Sequence, residues 1–180
     1  NAPGSIEELI YDNNVATAFY VSPGFTMSTR MSPSQSCQLV KMKFFTSTQP
    51  GGFPFNATLF SWNGNQPGTE ILYQQTVNAE ELDWLEVDVS SQNLFFNGDF
   101  VVGFGSINPL AALGFDANLN NDRSWDFNNS TQQWNTWPQA YLIRAVVLYS
   151  DGTLAELSPA QGNANVLFNK ILNHPSDIAE

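Results

Sequence analysis

Phe25-Thr26-Met27-Ser28-Thr29-Arg30-Met31 places Phe25, Met27 and Met31 on alternate positions, with small polar or charged residues between them. Successive side chains of an extended chain point to opposite faces, so this stretch is a strand with one buried and one wet face. Pro33 ends it, because proline has no N–H to give to a ladder. The same alternation returns along the chain: Leu39 to Thr46, Phe55 to Trp62, Thr69 to Val77, Trp84 to Val89 and Asp99 to Gly105. Between the runs stand turn-forming clusters such as Gln49-Pro50-Gly51-Gly52 and Asn63-Gly64-Asn65-Gln66-Pro67-Gly68. Tyr141 to Tyr149 is the longest strand candidate, and its crowded apolar residues suit a central strand covered on both faces. Short strands at regular spacing predict an all-β fold, an antiparallel β-sandwich of jelly-roll type, with Met27, Phe44, Leu59, Val87, Val102 and Val147 among its buried residues. A short helical turn is expected over Asn78 to Glu81, and 118–139 reads as a long loop or a pair of irregular strands.

The 180 residues suffice for one domain, 1–150, followed by a C-terminal extension, 151–180. Seventeen acidic residues against six Lys and Arg give a net charge of −11. That surface repels phosphate, so nucleic acid and anionic membranes are poor partners, and a neutral glycan or a cation suits it better. No run is long and apolar enough for a membrane-spanning helix. The start Asn1-Ala2-Pro3-Gly4 fits removal of a leader or excision from a longer chain, and the composition, rich in Asn, Ser, Thr and aromatics, fits an exported, extracellular or cell-surface protein. The single cysteine, Cys37, forms no intrachain disulfide and is expected to be a small buried strand residue.

The order of short motifs resembles a known family. Leu9-Ile10-Tyr11-Asp12, Phe25 to Met31, Leu39 to Phe44, Pro67 to Leu72, Trp84 to Val89, Gly98 to Gly103, Arg123-Ser124-Trp125 and Ile143 to Val147 look like the landmarks of a jelly-roll-like β-sandwich module of secreted and surface bacterial proteins. Such modules often sit beside peptidase domains or ahead of type IX secretion sorting domains. The resemblance covers residues 6 to 149 and implies a fold without catalytic residues to carry over. Two departures are that no peptidase segment precedes the module and that 151–180 does not look like a sorting domain.

Candidate chemistry is sparse. The single histidine, His174, lies near the C-terminus, and a positioned base needs supporting contacts. One His and one Cys cannot make a zinc set. The carboxylates Glu80, Glu81 and Asp83 cluster, which charged turn residues commonly do in solvent. Asp116, Asn118, Asn120 and Asp122 alternate, so their oxygens could turn toward a calcium ion; the competing reading is an Asn-rich turn whose side chains bond their own backbone. Trp125, Trp134 and Trp137 among amides could stack on a sugar, or they could cover the end of the sandwich.

The extension carries Val166, Leu167, Phe168, Ile171 and Leu172, which form a cleaner apolar stripe as a helix than as a strand. Docking of this segment on a neighbouring copy makes a head-to-tail contact, which builds filaments. The sequence therefore reads first as a non-enzymatic structural subunit that joins its own kind, as a homo-oligomer or polymer, or a surface partner through this assembly segment. The alternative is a carbohydrate-binding accessory module.

Overall fold

The computed structural model describes residues 4–149. The chain forms two antiparallel sheets packed face to face, an all-β sandwich as the alternation predicts. In chain order the strands are β1 (Ile6–Leu9), β2 (Ala18–Tyr20), β3 (Phe25–Met31), β4 (Cys37–Thr48), β5 (Pro54–Trp62), β6 (Pro67–Asn78), β7 (Asp83–Asp88), β8 (Leu94–Phe96), β9 (Phe100–Gly105), β10 (Ala111–Asp116), β11 (Ser124–Asn128), β12 (Gln133–Trp137), β13 (Ala140–Tyr141) and β14 (Ile143–Tyr149). Sheet A runs β1-β14-β4-β10-β13, with β2 on β10 and with β7 and β8 on β4. Sheet B runs β12-β11-β3-β9-β5-β6.

The core lies between the sheets. Sheet B sends in Met27, Met31, Phe55, Leu59, Phe100, Val102 and Phe104, and sheet A answers with Leu39, Met42, Phe44, Ile143, Val147 and Tyr149. Phe55 stacks on Phe104 at 4.1 Å, and Phe44 meets Phe55 edge-on at 5.2 Å. All six side chains expected in the core are buried. Cys37 opens β4, is fully buried, and its thiol is pushed up to about 12 by that burial, which leaves it inert as a nucleophile.

Strand β4 shows how the sequence keeps its apolar residues inside. Cys37 and Leu39 share one phase of alternation and Met42 and Phe44 the other, yet all four face the core. Across the ladder Val147 faces Leu39 and Val146 faces Lys41, which leaves Val40 as an extra residue in a bulge. One inserted residue resets the period of two.

Two sequence expectations change, and a third is decided between its alternatives. No helical turn forms over Asn78 to Glu81: Asn78 closes β6, and the helical turn lies at Ser90–Gln92 instead. β4 and β6, at 12 residues each, exceed β14, although β14 is interior, between β1 and β4, as expected. The 118–139 region contains a hairpin, β11 to β12, closed by the Gln132 N–H donating to Asn128 O and by Asn128 Oδ1 accepting from the Ser130 N–H. The segment Val166 to Leu172 and His174 lie outside the described residues.

Candidate functional site

Alternation fixes which residues of sheet B face away from the core. On β5 they are Asn56, Thr58 and Phe60; on β9, Val101, Gly103 and Gly105; on β3, Thr26, Ser28 and Arg30; on β11, Trp125 and Phe127; on β12, Trp134 and Thr136. The large side chains stand at the two sides of this face. Between them β3 and β9 carry Thr26, Ser28, Gly103 and Gly105, too small to hold the aromatic groups apart. A Cβ on Gly103 would lie 2.6 Å from the Thr26 methyl, so glycine is required there by crowding.

The flanking rings consequently meet across the trough. Phe60 contacts Trp134 at 5.0 Å and Phe127 at 5.7 Å, and Phe127 contacts Trp134 at 4.7 Å. With Val101 they make a second apolar cluster, separate from the main core, against which Trp62 packs half-buried. Trp125 meets Trp62 edge-on at 5.8 Å, and the Arg30 guanidinium lies 4.2 Å from the Trp62 ring centre while pairing with Asp99. The Trp134 indole N–H donates to Gly68 O at 3.0 Å, which pins the ring by its edge. Trp62, Trp125 and Trp134 thus share one sheet face, each half-buried, beside the amides and hydroxyls of Asn56, Gln74, Thr76 and Thr136.

Trp137 does not join them. It lies three positions after Trp134 in the same strand, so the two point to opposite faces. Trp137 packs on the core side, stacked with Tyr141 at 5.8 Å and against Tyr20 at 5.2 Å. Trp62, which completes the outer group, was not singled out in the sequence: it ends a strand, and only the register reveals that it meets Trp125.

The Asx run folds differently from a shared oxygen cage. Asp116 is buried; its Oδ1 accepts from the Asn118 N–H and its Oδ2 from Asn13 Nδ2. Asn120 Oδ1 accepts from the Asp122 N–H, and Asn121 Oδ1 from the Arg123 N–H. Each side chain copies a backbone turn two residues ahead. A cleft of about 280 Å³ brings Asn120 and Asp122 beside Ser124, Thr136, Trp137 and Pro138. Among the described residues no three His, Cys, Asp or Glu side chains converge as a metal-binding group. Glu80, Glu81 and Asp83 are exposed around a turn.

One carboxyl group is electrostatically distinctive. Asp126 faces inward from β11, and burial raises its pKa to about 6, against the opposing effect of the 2.7 Å hydrogen bond it accepts from the Tyr141 hydroxyl. Tyr141 is raised as well, by burial first and by the neighbouring carboxylate second. This pair ties sheet B to sheet A, with Ser124 Oγ accepting from the Tyr141 N–H at 3.3 Å beside it.

No family model matches the chain, and no curated protein matches its sequence. Solved structures do. The cysteine protease and lectin-like domains of Cwp84, a surface layer associated protein of Clostridium difficile, match with a TM-score of 0.63 at 11% identity, over 81% of this chain and 36% of that one. The clostridial cysteine protease Cwp84 after propeptide cleavage matches with a TM-score of 0.60 at 12% identity, over 81% of this chain and 40% of that one. At such identity the likeness is one of fold, and this chain spans well under half the length of either neighbour.

Proposed function

We propose that this chain is a non-catalytic, carbohydrate-binding accessory module of an extracellular or cell-surface protein, and that it binds through the outer face of sheet B. The observation that carries this reading is the gathering of Trp62, Trp125 and Trp134, distant in sequence, onto one sheet face as half-buried rings. An indole face covers the C–H side of a pyranose, and Asn56, Gln74 and Thr136 supply donors and acceptors for its hydroxyls. The glycan is neutral in this reading. The net charge of −11 repels anionic polymers, and Arg30, the cation on this face, is already paired with Asp99. Kinship of fold with the lectin-like domain of a surface protein supports both the binding class and the location. The test is titration of neutral polysaccharides by tryptophan fluorescence with the wild type, Trp62→Ala and Trp125→Ala. Binding weakened about tenfold or more by each substitution, with the far-ultraviolet spectrum retained, supports the site, since a lost stacking contact of ~1.4 kcal/mol is a tenfold change. A blank glycan array, or affinity untouched by both substitutions, overturns it.

Self-association is the second reading, and the long exposed edge strand β6 favours it. In this reading Val166, Leu167, Phe168, Ile171 and Leu172 dock on a neighbouring copy, and deletion of residues 160–180 abolishes polymers seen by negative-stain microscopy. Calcium at Asp116, Asn118, Asn120 and Asp122 must displace the turn bonds these side chains make. A melting midpoint raised by added calcium and lowered by chelator supports that site, and an unchanged midpoint removes it.

A further inference from the structure

The free edges of the two sheets are protected unequally. In sheet A, β1 carries Glu7 and Glu8, and β7 carries Asp83, Glu86 and Asp88, so a second strand approaching either meets carboxylates. Sheet B ends on one side in β12, a strand of five residues. On the other side it ends in β6, 12 residues long, which among the described residues pairs with β5 alone. From Ile71 to Asn78 this strand has no charge and no proline, in a chain of net charge −11, and Ile71 and Leu72 are 49% and 40% exposed. A regular, uncharged stretch of edge such as Tyr73 to Asn78 is a template for another strand.

We propose that β6 pairs antiparallel with β6 of a second copy about a two-fold axis at Gln75. The register follows from the edge itself. The ladder with β5 is irregular on the Ile71 side of Tyr73 and regular from Tyr73 to Asn78, so a new strand is best accepted over the regular stretch. A two-fold axis normal to the sheet keeps each facing pair on one face, so the residue numbers of a facing pair sum to an even value. Centred on Gln75, Tyr73 lies opposite Val77 of the second copy and Gln74 opposite Thr76. Aromatic against β-branched, and amide against hydroxyl, are favourable cross-strand pairs, and over Leu72 to Asn78 no charged residues face each other. Tyr73 and Val77 already pack on the core side, so the second copy extends that packing. A second copy is favoured over an unrelated acidic or basic segment because the stretch is neutral and self-complementary.

The two sheets B then run on as one, with both Trp62, Trp125 and Trp134 faces on the same side. If the carbohydrate reading holds, this doubles the valency toward a polymer and raises avidity without any new contact. The dimer itself stands apart from that reading.

The experiment is mild oxidation of the full chain carrying Gln75→Cys, compared with Gln74→Cys, read on non-reducing gels. Directly opposed Cα atoms in an antiparallel pair fall within disulfide reach, whereas position 74 is two residues out of register with its own copy. Cys37 is buried and does not compete. A disulfide-linked dimer from Gln75→Cys, at least tenfold more abundant than from Gln74→Cys, is expected. Sedimentation should show a concentration-dependent dimer that Gln75→Lys weakens at least tenfold, by placing two ammonium groups face to face. A wild type that sediments as a monomer throughout, a dimer indifferent to Gln75→Lys, or equal cross-linking from both positions overturns the proposal.

Discussion

The outer faces of the two sheets are closed differently, by charge pairs over Trp84, Phe45 and Phe19 on sheet A and by aromatic and apolar side chains on sheet B. On sheet A the Arg144 guanidinium is held by both Asp12 carboxylate oxygens, at 2.9 and 2.6 Å, and lies 4.1 Å from the Trp84 ring centre. Lys43 stands between Glu8 and Glu86, and Lys41 reaches Glu86. On sheet B the corresponding face is closed by Phe60, Val101 and Phe127 under Trp62 and Trp134. A buried charge must have its partner supplied by the protein, so the sheet A network has little left to offer a ligand. Aromatic rings have no such obligation. Half-buried, Trp62, Trp125 and Trp134 keep exposed ring area, and for that reason the binding reading falls on sheet B.

The comparison predicts that two large losses of stability will respond differently to a second substitution. Phe60→Ala should cost about 3–5 kcal/mol in urea unfolding, through lost burial and the cavity left behind. Asp12→Ala should cost about 3 kcal/mol, because it strips Arg144 of its two bonds to a fully buried carboxylate and leaves only Asn14 Oδ1 at 3.0 Å and Glu8 at 3.8 Å. Adding Arg144→Met to Asp12→Leu should recover most of the loss, as no unpaired charge then remains. Adding Phe127→Ala to Phe60→Ala should deepen it. Recovery in both cases, or in neither, would show that the faces are closed by the same physics.

A smaller effect sits where the sheets meet. The pKa of Asp126 is raised to about 6, above the value of an unfolded carboxyl near 4. Between these values the folded chain binds more protons than the unfolded one, so stability falls as pH rises through that window and levels off above it. The decline attributable to this group is of order 2 kcal/mol. Melting curves from pH 4 to 7 should show it, and Asp126→Asn should flatten it. Stability that rises over this range in the wild type, with no change in slope for the variant, would mean that Asp126 is solvated.

Much of this fold is legible in the chain because half-buried antiparallel strands write their period directly. β3 was bounded from Phe25 to Met31 by alternation alone. Strand β10 was not seen, since Ala111 to Gly114 are buried without alternation and resemble any short apolar run. The candidate site was legible only in part. Trp125 and Trp134 stood out by composition, but that Trp137 turns inward and Trp62 joins them depends on register across strands remote in sequence. Such pairing is a tertiary fact, and a single sequence carries no trace of it. The Asx run was ambiguous for a different reason: the same alternating oxygens serve an ion or the local backbone, and only the folded turn shows the second use.

The smallest predicted effect tests whether a close contact implies stability on the charged face. Lys41 lies 2.6 Å from Glu86, closer than Lys43, whose distance to Glu86 is 3.4 Å. Yet the Lys41 side chain is 39% exposed and Glu86 45%, so water solvates both ions in the unfolded and the folded chain alike. The bond from Lys41 lowers the pKa of Glu86 and raises that of Lys41, but on so open a surface the attraction is screened and is offset by the entropy of fixing two long side chains. Lys43 is 15% exposed and shared by Glu8 and Glu86, so its removal leaves Glu8 without its closest cation. Lys41→Gln should therefore leave the urea midpoint within measurement error at physiological salt, while Lys43→Gln lowers it. A larger loss from Lys41→Gln would mean that geometry outweighs solvation on this face, and that its exposed rim holds the sheet as firmly as its buried centre.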